Sequence, residues 1–138
     1  GWLYGAKFST IVIGKNVTKL GTNVLRDCVS LVSIVIPDSV TSIGVAAFYE
    51  CSSLTSITIS ESVTSIGAHA FDYCTSLTEV YCKAITPPNG VEYYGSWSAF
   101  DNNASERNIY VPSESVDAYK AAKYWSEYAG YIVGYDFE

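Results

Sequence analysis

Four cysteines, one histidine and a scatter of carboxylates are the side chains of this 138-residue chain that redox chemistry, metal binding or acid–base catalysis would draw on. Cys28, Cys51 and Cys74 stand 23 residues apart, with Cys82 after them. No C-x₂₋₄-C pair exists, so zinc has no ligand spacing to use. As neighbours in a parallel ladder the three would sit about 4.8 Å apart, within the about 4.4–6.8 Å Cα range of a disulfide. Distance alone leaves one bridge open. Stacked side chains point the same way, however, and three equivalent positions cannot all pair, which favours buried free thiols acting as small hydrophobes. His69 has no Ser or Cys placed beside it by the spacing, so a catalytic triad is unsupported and the residue reads as an exposed surface histidine. A solenoid hydrolase would need two of Glu61, Asp72, Glu79, Glu92, Asp101 and Glu106 about 5–9 Å apart on one face. The strand phase below places only Glu79 outward, so no catalytic residue, metal or cofactor is assigned, and the chain reads as a non-enzyme.

The cysteine step is the step of the whole chain. Leu31-Val-Ser-Ile34-Val-Ile36 becomes Leu54-Thr-Ser-Ile57-Thr-Ile59 and then Leu77-Thr-Glu-Val80-Tyr-Cys82, while Phe8-Ser-Thr-Ile11-Val-Ile13 fits the same frame one step earlier. A period of this length marks a solenoid, in which each unit buries its apolar face against its neighbours. Within a unit, Ile34/Ile36 and Ile57/Ile59 alternate as half-buried strands do. A turn follows, such as Pro37-Asp38-Ser39. A second extended piece, Val40 to Ile43 or Val63 to Ile66, closes on Gly44 or Gly67. Ala47-Phe48-x-x-Cys51 and Ala70-Phe71-x-x-Cys74 then have the spacing of one helical or 3₁₀ turn. Repeats are expected at about 8–30, 31–53, 54–76 and 77–107, followed by a cap over 108–138. One further step back puts Trp2 in the column of Leu25, Phe48 and Phe71, so the first residues read as the tail of a preceding repeat. With no Met at all, the chain reads as a processed or trimmed product.

The fourth unit breaks the beat. Thr86-Pro87-Pro88-Asn89-Gly90 is a stiff turn, and Ala99-Phe100 arrives six residues late, so a loop is inserted around Tyr93, Tyr94 and Trp97. Asn108 to Pro112 restores a strand. Ser113 is placed as an N-cap, with Glu114 and Asp117 early and Lys120 and Lys123 late, the order the helix dipole favours. Val116, Tyr119, Ala122, Trp125 and Tyr128 recur at helical spacing, which predicts one capping helix followed by a Tyr131–Tyr135 extended tail.

Net charge is −6 with only 8 Lys+Arg, so the electrostatic footprint of a nucleic-acid or anionic-lipid binder is missing. No stretch has the roughly 20 apolar residues that membrane insertion requires. Few charges and abundant Ser, Thr and Tyr fit an extracellular or cell-surface protein. Asn16-Val-Thr18 and Asn103-Ala-Ser105 match the N-glycosylation acceptor pattern, one that arises readily by chance in such a composition.

The unit Leu-x-x-Ile-x-Ile-x-x-x-Val-x-x-Ile-Gly-x-x-Ala-Phe-x-x-Cys resembles the BspA-type, or Treponema pallidum-type, leucine-rich repeat. The run Ala84 to Pro88, Ala99-Phe100, Ile109 to Pro112 and Tyr119 to Trp125 resembles that family's C-terminal region. The resemblance implies a leucine-rich repeat β-solenoid with a parallel β ladder on its concave face. A short strand and a 3₁₀ or helical turn are expected on the other side, with a C-terminal capping helix. It also implies a surface protein of anaerobic gut or oral bacteria. Members with known roles adhere to host matrix proteins or to other bacteria, and the family has no shared catalytic residues.

If Ile34 and Ile36 point inward, the outward columns are Thr10, Ser33, Ser56 and Glu79, then Val12, Val35, Thr58, Tyr81 and Tyr110. The second is an apolar and aromatic stripe facing water. β-Branched and aromatic residues favour strands and pack sideways on one another, which accounts for such a stripe without function. Exposed apolar patches with polar rims also mark interaction sites, and solenoids bind through their concave faces. The candidate binding set is therefore Val12, Val35, Thr58, Glu79, Tyr81 and Tyr110, with Tyr93, Tyr94 and Trp97 of the inserted loop, the equal alternative for Trp97 being a place tucked over the end of the core. Its expected partner is a host matrix or bacterial surface protein, or a glycan. A purely structural terminal cap of a longer array is the alternative reading, and a carbohydrate-active enzyme a remote one.

Overall fold

The structure is a computed structural model that describes residues 3–138. The expected place of Trp2 in the aromatic column lies outside the described residues. Each repeat gives one strand to each of two all-parallel ladders. Strands β1 (Lys19–Leu20), β3 (Ser42–Ile43), β5 (Ser65–Gly67) and β7 (Asn89–Val91) form one. The concave ladder comprises β2 (Ser33–Val35), β4 (Ser56–Ile59), β6 (Glu79–Cys82), β8 (Asn108–Pro112) and β9 (Ile132–Tyr135), in that order. Like stacks on like: Ile34 lies beside Ile57, Ile57 beside Val80, and Val80 beside Ile109. A bridge from Thr10 to Ser33 carries the pattern one repeat further towards the N-terminus.

Inward residues form a continuous core in which Leu31, Leu54, Leu77, Ile57, Ile59 and Val80 are wholly buried. Each such side chain contributes roughly 1.5–3 kcal/mol. On the turn side Phe48, Phe71 and Phe100 stack nearly parallel, with centroids 5.0 and 5.4 Å apart. The four cysteines are free and buried. Cys51 Sγ donates to Leu25 O at 3.2 Å and Cys74 Sγ to Phe48 O at 3.1 Å, so each thiol ties its coil to the one before. Close packing of the coils depends on Gly67, where an added Cβ would lie 2.4 Å from Val45 N.

The inserted residues enter in two places. Ser65 pairs with Asn89, one residue beyond the regular step, and the remaining extra residues follow β7, where Tyr93 and Ser96 pair in a small antiparallel turn. Beyond β8 the regular step resumes, since Ile109 pairs with Ile132.

The C-terminal capping helix forms, but it is shorter than the spacing out to Tyr128 predicts. A 3₁₀ turn (Ser113–Ser115) leads into α1 (Val116–Ala121), the chain extends at Ala122 (ψ 143°), and Tyr124 turns left-handed (φ 73°) before a second 3₁₀ segment, Trp125–Tyr131. This break lets Trp125 and Tyr128 turn onto the core beside Tyr119, where each finds a partner for its polar tip. Tyr119 Oη donates to Ala84 O at 2.6 Å, Trp125 Nε1 to Pro88 O at 2.8 Å, and Tyr128 Oη to Asp101 Oδ1 at 2.6 Å. Ser113 makes no capping bond and instead donates to Asp136 Oδ1 at 2.9 Å. The expected extended tail forms β9, a further rung of the ladder paired with β8.

Candidate functional site: the aromatic end of the concave ladder

Strand alternation turns every second residue of the concave ladder towards water, and the register sets the outward column as Val35, Thr58, Tyr81, Tyr110 and Val133. Its N-terminal half is aliphatic and open, with Val12 93% and Val35 66% exposed. Its C-terminal half is aromatic. The Tyr81 and Tyr110 rings stack with centroids 5.0 Å apart and planes 17° off parallel. Tyr135 meets both edge-on at 5.4 and 5.7 Å, and Phe137 packs on Tyr135 at 4.9 Å. Lys83 Nζ lies 6.0 Å from the Phe137 ring centre. Partial burial and the Glu79 charge push the Tyr81 hydroxyl above its usual range. Beside this cluster opens a concavity of about 370 Å³ lined by Glu61, Lys83, Ile85, Glu114, Tyr135 and Phe137. Aromatic faces next to mixed charges can hold a peptide side chain or a sugar ring.

Tyr135 and Phe137 were missing from the sequence-based set. The signal was present: Ile132-Val-Gly-Tyr135 stands one regular step beyond Ile109-Tyr-Val-Pro112, so the tail reads as a further rung.

The inserted loop does not join this surface. It follows β7, in the other ladder, where Tyr93 and Tyr94 pack edge-on at 4.5 Å. Tyr94 is 92% exposed, and Tyr93 borders a separate groove on the turn side. Of the two places open to Trp97, the binding loop and the end of the core, it takes the second, with only 2% of its surface exposed. Gly90 takes the inward position that Ile66 holds one rung earlier, and the space it leaves is filled by Trp97 and Tyr124. Trp97 Nε1 donates to Ile66 O at 2.9 Å, and its ring packs against Phe100, Trp125 and Tyr128. Trp97 is a keystone of the cap.

His69 is also not the exposed residue expected. It is half-buried, and its Nδ1 donates to Asp72 Oδ2 at 2.9 Å. Among the described residues no hydroxyl or thiol bonds to it, and no group of three His, Cys, Asp or Glu is placed to hold a metal. No helix among them is long and apolar enough to cross a membrane.

A family model described as a BspA type leucine rich repeat region matches residues 2–126 in six copies. Among solved structures, a leucine rich cell surface protein from Faecalibacterium prausnitzii superposes with a TM-score of 0.59 at 22% sequence identity. The alignment covers 96% of this chain and 32% of that one, so this chain spans about a third of that protein's length. At this identity the likeness concerns the fold. No curated protein sequence matches.

Proposed function

Since the chain belongs to the BspA-type leucine-rich repeat family, we propose that it is a non-enzymatic module of a cell-surface or secreted protein whose concave aromatic cluster binds a protein or glycan partner. The observation that carries this reading is the Tyr81–Tyr110–Tyr135–Phe137 cluster, four rings joined by stacked and edge contacts on the outward side of the ladder. The core does not need them, because the inward columns are complete without them. Tyrosine supplies large contact area at low entropic cost and dominates many interfaces. The extracellular setting is supported by the family and by the cell-surface description of the structural neighbour.

The test immobilises the full chain and measures binding to extracellular-matrix preparations, bacterial surface extracts and a glycan array. A partner found for the wild type should bind the Tyr81→Ser, Tyr110→Ser double variant roughly thirtyfold more weakly, the loss of about 2 kcal/mol typical of a hot spot. Equal binding by a folded double variant would remove the site assignment.

The alternative reading, a terminal cap of a longer array, is supported by Trp97, Trp125 and Tyr119, which close the C-terminal end of the core. A longer protein that binds its partner with this region deleted, while the region alone binds nothing, would favour it.

A further inference from the structure

On the turn side, away from the concave ladder, the repeat aligns three columns: Asn23, Ala46 and His69; Arg26, Tyr49 and Asp72; Asp27, Glu50 and Tyr73. The members of the first column all adopt left-handed backbone, with φ of 60°, 55° and 58°, as do those of the third at 59°, 60° and 60°. This backbone holds the side chains of successive coils in one orientation. Ala46 is the smallest residue of its column, so a depression opens between Asn23 and His69. Tyr93 of the inserted loop overhangs it, and the resulting groove measures about 440 Å³, within the roughly 300–1,000 Å³ of small-ligand sites.

Arg26 is the unusual group here. In a chain with 14 acidic residues its guanidinium has no carboxylate partner within 4 Å among the described residues. Nη1 donates to Asn23 Oδ1 at 3.3 Å, and Nε is buried with no partner among the described residues. The cation is held 4.6 Å from the centre of the Tyr49 ring and 5.7 Å from that of Tyr4. The neighbouring Asp72 makes no ion pair with it; its oxygens accept from His69 Nδ1 at 2.9 Å and from Asn102 Nδ2 at 2.8 Å. That pairing also fixes the imidazole, leaving Nε2 for another partner. Tyr49 and Tyr73 stand edge to face at 5.7 Å and form an aromatic wall.

We propose that this groove, with Arg26 over Tyr49 at one end and His69, Tyr73 and Tyr93 at the other, binds a saccharide that carries a carboxylate. A planar guanidinium fork matches a carboxylate. A pyranose ring offers C–H faces to the tyrosines and hydroxyls to Asn23 and His69. The groove is independent of the concave cluster, so either assignment can fail without the other.

The test is an NMR titration of the ¹⁵N-labelled full chain with 3′-sialyllactose and with trigalacturonate, using lactose and a glutamate-containing tripeptide as controls. Saturable shifts centred on Arg26, Ala46, Tyr49 and Tyr73 are expected from at least one acidic sugar, with lactose roughly tenfold weaker or more. Arg26→Gln should abolish that preference and leave the Tyr81 and Tyr110 signals in place. Tyr73→Ala, at an exposed wall residue, should weaken the acidic sugar and gives a second reading if Arg26→Gln does not fold. The proposal is overturned by no saturable shift from either acidic sugar, by equal affinity for lactose, by shifts confined to the concave face, or by a tripeptide that binds as well as the sugars.

Discussion

Asn103 does for Phe71 what Cys74 does for Phe48: its Nδ2 donates to Phe71 O at 2.9 Å, as the Cys74 thiol donates to Phe48 O at 3.1 Å. The asparagine occupies the cysteine position of the lengthened repeat. It adds bonds no thiol makes, since Nδ2 also reaches Cys74 O at 3.4 Å and its Oδ1 accepts from Arg107 Nε at 3.0 Å. Arg107 in turn donates to Phe100 O at 2.7 Å. Asn103→Ala should therefore cost about 1–3 kcal/mol by leaving these groups unpaired, and Asn103→Cys should cost less, because the donor to Phe71 returns. Urea denaturation of the three proteins checks the order. Expressed in a glycosylating host, Asn16 is exposed while the Asn103 amide is engaged, so a glycan on folded Asn103 would contradict the geometry.

The buried thiols and phenols make the fold sensitive to base. Burial pushes the Cys82 thiol from 9.0 up to about 11, against the opposing hydrogen bonds of Tyr119 and Ala84. Burial likewise raises Cys28, Cys74, Tyr119 and Tyr128. Each group keeps its proton in the folded state at a pH where the unfolded chain releases it. Their contribution is therefore complete below about pH 9 and is lost as pH rises beyond it. For Cys82 alone the loss between pH 9 and 11 is about 2–3 kcal/mol. Urea midpoints should fall steeply above pH 9 in the wild type and less steeply in Cys82→Val. At pH 8 a thiol reagent should label no cysteine until the protein unfolds.

Two glycines separate a packing constraint from mere turn preference. A Cβ at Gly67 would lie 2.4 Å from Val45 N and 2.6 Å from Gly44 C, both backbone atoms that cannot yield. At Gly130 nothing lies within 4 Å. Gly67→Ala should thus destabilise by about 3 kcal/mol or prevent folding by forcing neighbouring coils apart. Gly130→Ala should stay within about 0.5 kcal/mol of the wild type. Circular dichroism melts of the two variants distinguish these outcomes.

How much was legible follows from which residues keep the beat. The register of Ile34, Ile57 and Val80, and the outward place of Tyr81 and Tyr110, come from a strict period and an alternation of two. The sequence leaves Trp97 open between the loop surface and the end of the core, because its burial depends on a side chain that is missing, that of Gly90, in a segment where the period fails. The capping helix was overextended because Tyr119, Trp125 and Tyr128 are buried at helical spacing, yet the chain reaches those positions through an extended Ala122 and a left-handed Tyr124. Periodicity reports which residues are buried; it does not report the backbone path between them. The groove at Arg26 was invisible for a related reason: a depression is made by the small member of a column, and Ala46 carries no chemical signature.

Trp97 and Tyr94 lie in the same insertion and should behave oppositely. Trp97 fills the space over Gly90, touches Phe100, Trp125 and Tyr128, and satisfies Ile66 O. Its removal leaves a cavity that the surrounding rings close only partly, so Trp97→Ala should cost about 3–5 kcal/mol. Trp97→Phe should recover part of that by refilling volume without the Ile66 bond. Tyr94, 92% exposed, should tolerate alanine within about 0.5 kcal/mol. Hydrogen exchange adds a spatial check: Trp97→Ala should accelerate exchange first in Trp125–Tyr131 and β9, while the β2–β4 amides hold. Uniform acceleration across the chain would mean that the cap and the coils unfold as one unit and that Trp97 is no local keystone.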